Sequence, residues 1–336
     1  MKLDIIIPHY KEPWSVCKHL FQTIETQGGV FFGNIRVIIV NDGEEGVLFG
    51  SVQRAMYNLA SYPFTVDYIV KDHEGVSAAR NEGLDASDAD YVMFCDCDDG
   101  FLNNYALSVI FSGMQEGFDM CMSNFIEETF ESDGNPRIVN HNEDLTFMHG
   151  KVYRRQFLID NDIRFDNRMT IHEDAYFNML AYSVLKTNNG KLKKINTPLY
   201  VWRWNNDSVV RKDREDFVLK TYADVMLTRT GISRIQKERG MEEFYVASVC
   251  LTVLNSYYDF QKTRYHLEKN ARYLRAAEKA FRAYWMEFKD VFNDQTNKKI
   301  AEIAVTARET AVKNGMLMEQ QTLKEFLRHI EYEVKP

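Results

Sequence analysis

Along the first hundred residues, short apolar runs alternate with stretches whose apolar positions recur at helical spacing. The runs cover residues 3–8, 36–40, 65–70 and 90–95, and the helix-like stretches cover 14–26, 47–60 and 76–86. Strand alternating with helix predicts a parallel sheet with crossover helices. Each strand is followed by a polar, turn-prone segment: His9-Tyr10-Lys11, Asn41-Asp42-Gly43, Asp72-His73-Glu74-Gly75 and Asp96-Cys97-Asp98-Asp99-Gly100. In an open α/β sheet ligands bind outside the carboxyl ends of the strands, so these segments are expected to converge on one site.

Residues 118–204 read as mixed, with strands over 118–125 and 199–204 and helices over 151–161 and 175–185. From about residue 215 the pattern is helical throughout, over 217–227, 244–260, 274–292 and 300–312, and no proline stands between Pro198 and Pro336. The expected fold is therefore an α/β domain over 1–210, built on a mostly parallel mixed sheet, followed by an all-helical domain over 211–336.

The chain has 336 residues, 45% of them hydrophobic, near the size at which one core divides into two. Its apolar runs are strand length, far short of the roughly 18–20 residues of a membrane span. Met1-Lys2-Leu3-Asp4 leads straight into a strand with no extended hydrophobic region, which speaks against a signal peptide. The five cysteines, Cys17, Cys95, Cys97, Cys121 and Cys250, lack a C-x-x-C pair and fit a reduced compartment without zinc. A cytoplasmic protein is expected, with peripheral contact at the inner face of the membrane left open.

The formal net charge of −8 is unevenly spread: residues 211–336 carry 23 Lys+Arg against 19 Asp+Glu, and residues 1–210 carry 18 against 30. An acidic front domain repels phosphate polymers, which speaks against nucleic acid as a partner. The mildly basic rear, with its apolar helical stripes, is expected to serve acceptor, partner or homo-oligomer contacts.

The first strand is not followed by G-x-G-x-x-G, and G-x-x-x-x-G-K-[ST] is absent, so ordinary dinucleotide and P-loop sites are disfavoured. Asp96-Cys97-Asp98-Asp99 at a strand end is the sharpest chemical signal. Carboxylates at i and i+2 can present oxygen ligands to a hard divalent cation, although a solvated acidic turn has the same pattern.

Ile5-Ile6-Ile7-Pro8-His9-Tyr10, Val40-Asn41-Asp42-Gly43, Gly75-Val76-Ser77-Ala78-Ala79-Arg80-Asn81-Glu82-Gly83, Asp96-Cys97-Asp98-Asp99 and His172-Glu173-Asp174 occur in that order. The ordered set resembles the inverting family-2 glycosyltransferases of GT-A fold, over residues 3–207. The resemblance implies a hexosyl- or N-acetylhexosaminyl-type enzyme that moves a sugar from a nucleotide-sugar, commonly a UDP-sugar, to a hydroxyl of a glycan, polysaccharide or cell-surface polymer. It also implies Mn²⁺ or Mg²⁺ as cofactor.

Carried over by position, Pro8 and Tyr10 would line the nucleobase and Asp42 would accept from it, as a carboxylate can from a ring N–H. Arg80 would contact the nucleotide and Asp96 the ribose or the metal. Asp98 would be the firmest metal ligand, and Asp174, with Glu173 beside it, would supply the general base. The same two acids could merely serve the start of a helix. His172 would contact the diphosphate or simply pack. Trp202-Arg203-Trp204 and residues 208–211 fall where related enzymes place a strand and a loop near the diphosphate, so Arg203 joins the donor contacts.

The chain departs from the family pattern at His9 and Lys11, at Asn41-Asp42-Gly43-Glu44, and at His73 before Gly-Val-Ser. These changes bear on base recognition, which Asp42 would carry without a second acid; His73 is kept among the donor contacts. The competing readings are a nucleotidyltransferase acting on a sugar phosphate and a catalytically silent carbohydrate-binding or scaffold protein.

Overall fold

The apolar run Leu3–His9 forms strand β1, with Ile5, Ile6 and Ile7 all at 1% exposure or less. A strand covered on both faces needs no polar alternation, which explains a continuous run rather than an alternating one. The computed structural model describes residues 1–43, 46–131, 133–205, 216–313 and 319–335; Glu44, the 210/211 boundary and the segment 208–211 lie outside them. The chain separates into two compact units, Met1–Asn206 and Asp207–Pro336.

In the first unit β2 (Ile35–Asp42), β3 (Thr65–Lys71) and β4 (Tyr91–Phe94) join β1 in the parallel order β3-β2-β1-β4. Helices α1 (Trp14–Glu25), α2 (Val52–Leu59) and α3 (Val76–Ala86) make the connections. The sheet then continues through β8 (Lys151–Arg154), β6 (Met120–Phe130), β9 (Leu192–Trp202) and β5 (Gly100–Phe101). Here β8 is antiparallel to both β4 and β6, β9 is parallel to β6, and β7 (Pro136–His141) pairs antiparallel with β6. Helices α4 (Ala106–Glu116), α5 (Arg155–Asp160) and α6 (Glu173–Thr187) complete the unit. The α/β expectation holds: four parallel strands in front, a mixed sheet behind.

The stretch expected as a helix over 151–161 instead opens as β8. Lys151, Val152 and Tyr153 are all at or below 1% exposure because a strand between two neighbours buries consecutive residues, and helix begins only at Arg155. The strand expected over 199–204 is the end of the longer β9, which slips register against β6 around Asn124. Strand β7 has mainly exposed residues, so it carries no apolar signal to read.

The second unit consists, among its described residues, of α7 (Phe217–Lys220), α8 (Tyr222–Glu238), α9 (Glu242–Phe260), α10 (Ala271–Phe288), α11 (Asn297–Lys313) and α12 (Leu323–Tyr332), with short 3₁₀ turns between some of them. Its core is aromatic: the Phe281 and Phe326 rings stack at 5.4 Å, with Phe260 at 5.6 Å from Phe326. The pattern reading missed α12, although Thr322-Leu-Lys-Glu325 carries a capping box that the structure forms in both directions. Among the described residues no helix is long and apolar enough to cross a membrane.

Candidate active site

Parallel strands end at one edge, and the polar segments after β1, β2, β3 and β4 gather there. At one side sits Asp42, 3% exposed, the last residue of β2. Its Oδ1 accepts from the Glu74 N–H at 2.9 Å and Lys71 Nζ at 3.3 Å, and its Oδ2 accepts from the Gly75 N–H and His73 Nδ1, both at 2.7 Å. Burial alone would raise this carboxyl, but the two backbone donors, Lys71 and His73 hold it below the usual carboxylate range. Four donors fill a carboxylate's acceptor capacity, so Asp42 shapes the turn leading into α3 and a nucleobase would compete for it. The His73 ring stacks on Tyr10 at 4.2 Å. Gly43, beside both side chains, takes a φ of 128°, a backbone conformation that residues with a Cβ rarely adopt. Pro8 is half-buried in β1, opposite Val40.

Two of the departures from the family pattern meet each other. His9 Nδ1 lies 2.6 Å from Asn41 Oδ1, and its Nε2 lies 2.8 Å from the Glu12 carbonyl. Burial works against charge on His9, yet its bonds to Cys17, the Glu12 carbonyl and Asn41 raise it to about 9. With oxygen acceptors at both nitrogens, the ring is an imidazolium donating twice. Asn41 Oδ1 also accepts from the Tyr68 hydroxyl at 3.0 Å, which ties β1, β2 and β3 together behind the edge.

On the other side the structure brings Arg80, Asp96, Glu173 and Asp174 together from three separate motifs. Arg80 Nη1 donates to Glu173 Oε1 at 2.9 Å and to Asp174 Oδ1 at 2.6 Å, and Nη2 donates to Asp96 Oδ1 at 2.9 Å. The Arg80 side chain is 3% exposed, its guanidinium lies 5.3 Å from the Phe165 ring centroid, and its buried Nε has no hydrogen-bond partner among the described residues. Ser77, Arg80 and Asn81 share one face of α3 by their i, i+3, i+4 spacing. All three reach the segment leading into α6: Ser77 Oγ donates to the Met169 carbonyl at 3.2 Å and Asn81 Nδ2 to the Phe165 carbonyl at 2.9 Å. That shared face is the structural reason for the Gly-Val-Ser-Ala-Ala-Arg-Asn run.

Glu173 and Asp174 open α6 after His172, which takes a left-handed φ of 64° and makes no side-chain cap. Asp174 Oδ2 accepts from the Met148 N–H at 3.0 Å. Burial pushes this carboxyl up, Arg80 pulls it down, and Glu173 and Asp96 push it up again, leaving it at about 7. A base poised there takes a proton near neutral pH and can release it again. Asp96 is held low: burial opposes ionisation, but the Arg80 guanidinium beside it outweighs that.

Of the remaining acids, Asp98 Oδ2 accepts from Asn205 Nδ2 at 2.7 Å. Asp99 is fully buried and accepts from the Tyr200 hydroxyl and the Arg203 N–H, both at 3.0 Å. Burial, then Asp98 and Asp96, push Asp99 well above the carboxylate range. Arg203 thus reaches the site through its backbone, while the Trp202 ring lies 4.9 Å from Phe147 and the Trp204 ring 4.7 Å from Phe130. The ligand atoms of Asp96, Asp99 and His149 all lie within 4.8 Å of one another. Burial first, with Lys151 and Arg80 adding to it against Asp96, lowers His149 to about 3, so its ring is neutral and able to coordinate.

Sequence reading missed His149, the Met148 N–H, Lys151 and Asn178. His149-Gly150-Lys151 matches no motif, and the one local signal is Gly150, at φ 70° and packed against Ser123.

A parallel βα half that runs into a mixed half, with carboxylates at the strand ends, is the GT-A arrangement of glycosyltransferases. The model of glycosyl transferase family 2 matches residues 4–179, more than half of the chain, and the chain belongs to this family. It is 24% identical over 235 residues to glycosyltransferase GlyA of Streptococcus pneumoniae, covering 62% of this chain and 32% of GlyA. It is 26% identical over 242 residues to the minor teichoic acid biosynthesis protein GgaA of Bacillus subtilis, covering 65% of this chain and 51% of GgaA. Among solved structures, residues 1–349 of S. aureus TarS in complex with UDP-GlcNAc align with a TM-score of 0.62 at 17% identity, over 99% of this chain and 93% of that one. The TarS complex with UDP aligns with the same score at 16% identity, with the same coverage. At these identities the likeness shows the fold.

Proposed function

We propose that the protein transfers a hexosyl or N-acetylhexosaminyl group, with inversion, from a UDP-sugar to a hydroxyl of a glycan or cell-surface polymer, in polysaccharide biosynthesis. The observation that carries this reading is the convergence of the Asp174 carboxylate, at the start of α6, and the strand-end Asp96 on one buried guanidinium, that of Arg80. Asp174 takes the proton of the acceptor hydroxyl as that oxygen bonds to the anomeric carbon from the face opposite the nucleotide. The bond from the anomeric carbon to the diphosphate oxygen breaks, and UDP departs with the electron pair. Arg80 spans base and nucleotide side, and the Tyr10–His73 stack with Pro8 offers an aromatic wall for the base.

The donor set suits a hard cation. Asp96 and Asp98 are only partly buried oxygen ligands, and the cost of ionising Asp99 behind them falls if a positive charge sits there. Asp98 and Asp96 would hold Mn²⁺ or Mg²⁺, which supplies charge neutralisation to a departing diphosphate. The TarS complexes with UDP and UDP-GlcNAc support the donor class, and the GgaA resemblance supports a teichoic-acid-like polymer as acceptor. In this reading the front unit catalyses in the cytoplasm and the mildly basic helical unit serves acceptor, partner or oligomer contacts.

The test is metal-dependent release of UDP from UDP-GlcNAc and other UDP-sugars by the full chain and by Asp174→Asn. The wild type should release UDP, and Asp174→Asn should lose transfer at least about a hundredfold while donor affinity changes little. Full transfer by the variant sinks the assignment. Pyrophosphate as product would identify a nucleotidyltransferase, and no turnover with any donor would identify a silent binding protein.

A further inference from the structure

We propose that Lys151 is a positioning residue for the base: through the main chain of residues 147–149 it aims the Met148 N–H at Asp174 and the His149 ring at Asp99. The proposal rests on the reading of Asp174 as base.

Lys151 starts β8 and is 1% exposed, beside Val152 and Tyr153, the apolar residues such a strand ordinarily takes. Burying an ammonium costs several kcal/mol unless oxygens surround it. Lys151 Nζ donates to the Phe147 carbonyl at 2.5 Å and the His149 carbonyl at 3.3 Å, with the Asp144 carboxylate at 3.9 Å. Burial lowers it to about 8 while Asp144 and Asp174 oppose that fall, so it stays mostly charged at neutral pH. Its bonds therefore go to two carbonyls that flank Met148.

The rest of the segment is fixed from other directions. Asn178 Nδ2, on α6, donates to the same Phe147 carbonyl at 2.9 Å. The Thr146 and Phe147 N–H groups both donate to Asp144 Oδ1 at 2.8 Å. The Gly150 carbonyl accepts from the Ser123 N–H at 2.9 Å and from Ser123 Oγ at 3.0 Å. With the carbonyls on either side held, the Met148 N–H points to Asp174 Oδ2 at 3.0 Å, and His149 Nδ1 lies 3.4 Å from Asp99 Oδ2. One ammonium thus orients the base on α6 and the imidazole beside the metal-side carboxylates.

The charged groups facing Asp174 are Arg80 from α3, Glu173 on its own helix, Asp96 beyond β4 and Lys151 from β8. Loss of Lys151 removes a cation and frees the Met148 donor, and both changes raise the proton affinity of the base. The experiment compares full-length wild type, Lys151→Met and Asp174→Asn by kcat, donor KM and the pH dependence of kcat. Lys151→Met should lower kcat at least tenfold at pH 7, leave donor KM within about threefold, and move the acid limb of kcat to higher pH. A merely structural role would lower the amount of folded enzyme without moving that limb.

If Lys151→Met does not fold, Asp144→Asn, which loosens the outer end of the segment, takes its place with a smaller loss of kcat and the same direction of limb shift. A folded variant with wild-type kcat and an unmoved limb overturns the proposal. If Asp174→Asn itself retains transfer, the reading of Asp174 as base fails instead, whatever Lys151→Met does.

Discussion

Replacing Arg80 with methionine keeps much of the side chain's bulk but deletes the charge that three carboxylates share. The guanidinium is 3% exposed, and its partners Glu173, Asp174 and Asp96 are 12%, 16% and 36% exposed. Removing one partner of a buried ion pair costs about 3–5 kcal/mol because the other charge stays buried and unpaired. Solvent at Asp96 screens part of this, which places the expectation at the lower end, about 3 kcal/mol at pH 8. The sign with pH follows from Asp174. Its carboxyl sits at about 7 even with Arg80 pulling it down, so without Arg80 it rises further and a proton replaces the missing charge as pH falls. Urea denaturation at pH 8 and pH 6 should therefore show a large loss at pH 8 and a smaller one at pH 6. Three of the four tryptophans, Trp14, Trp202 and Trp204, lie in the first unit, so their fluorescence reports on it. Added Mn²⁺ should restore more stability to the variant than to the wild type. A loss below about 1 kcal/mol at pH 8, the range of a surface pair, or an equal loss at both values, would refute the reasoning.

In wild type, kcat should fall about tenfold per pH unit below about 7 as Asp174 takes up a proton, whereas a flat profile between pH 8 and 5.5 contradicts a base at that position. Asp42→Ala should destabilise by about 2–3 kcal/mol, since it strands two backbone N–H groups and Lys71. Because the folded carboxyl is depressed, this contribution is present above the unfolded value and disappears as pH falls through the folded one, so wild type and variant should converge in acid denaturation. Gly83→Ala on α3 would drive a Cβ into Ile6 Cγ2 of β1, and thermal unfolding should show a loss of about 1–3 kcal/mol with the α3 motif displaced.

The parallel half was legible because β1, β2 and β4 bury both faces and appear as apolar runs, while the half-buried edge strand β3 is set off by the turn segments around it. The same rule hid β8: Lys151-Val152-Tyr153 is buried without alternation, begins with a charged residue and reads as the start of a helix. At the site, motifs single out Arg80, Asp96, Glu173 and Asp174 one at a time, but their meeting on one guanidinium is a property of how α3 faces α6. His149 and Lys151 were illegible for a related reason. Their work is done through main-chain carbonyls and a neighbouring carboxylate, and such contacts leave no spacing to read. The coupling of His9 to Asn41 shows the converse, since two isolated departures from a pattern prove to be one hydrogen-bonded pair.

The Arg80 cluster also has a temporal side. Arg80 and Asp174 stand 94 residues apart in the chain, and Asp99 waits for Arg203 over 104. At ribosomal rates of about 5–20 residues per second, the arginine emerges roughly 5–20 s before the acids that neutralise it from α6. During that interval β1 to β4 must hold together on their own apolar contacts while a cation destined for burial stays hydrated at their edge. The candidate site is accordingly among the last parts of the first unit to assemble, and a nascent chain stalled before residue 173 would carry the four parallel strands but neither β9 nor the acids of α6.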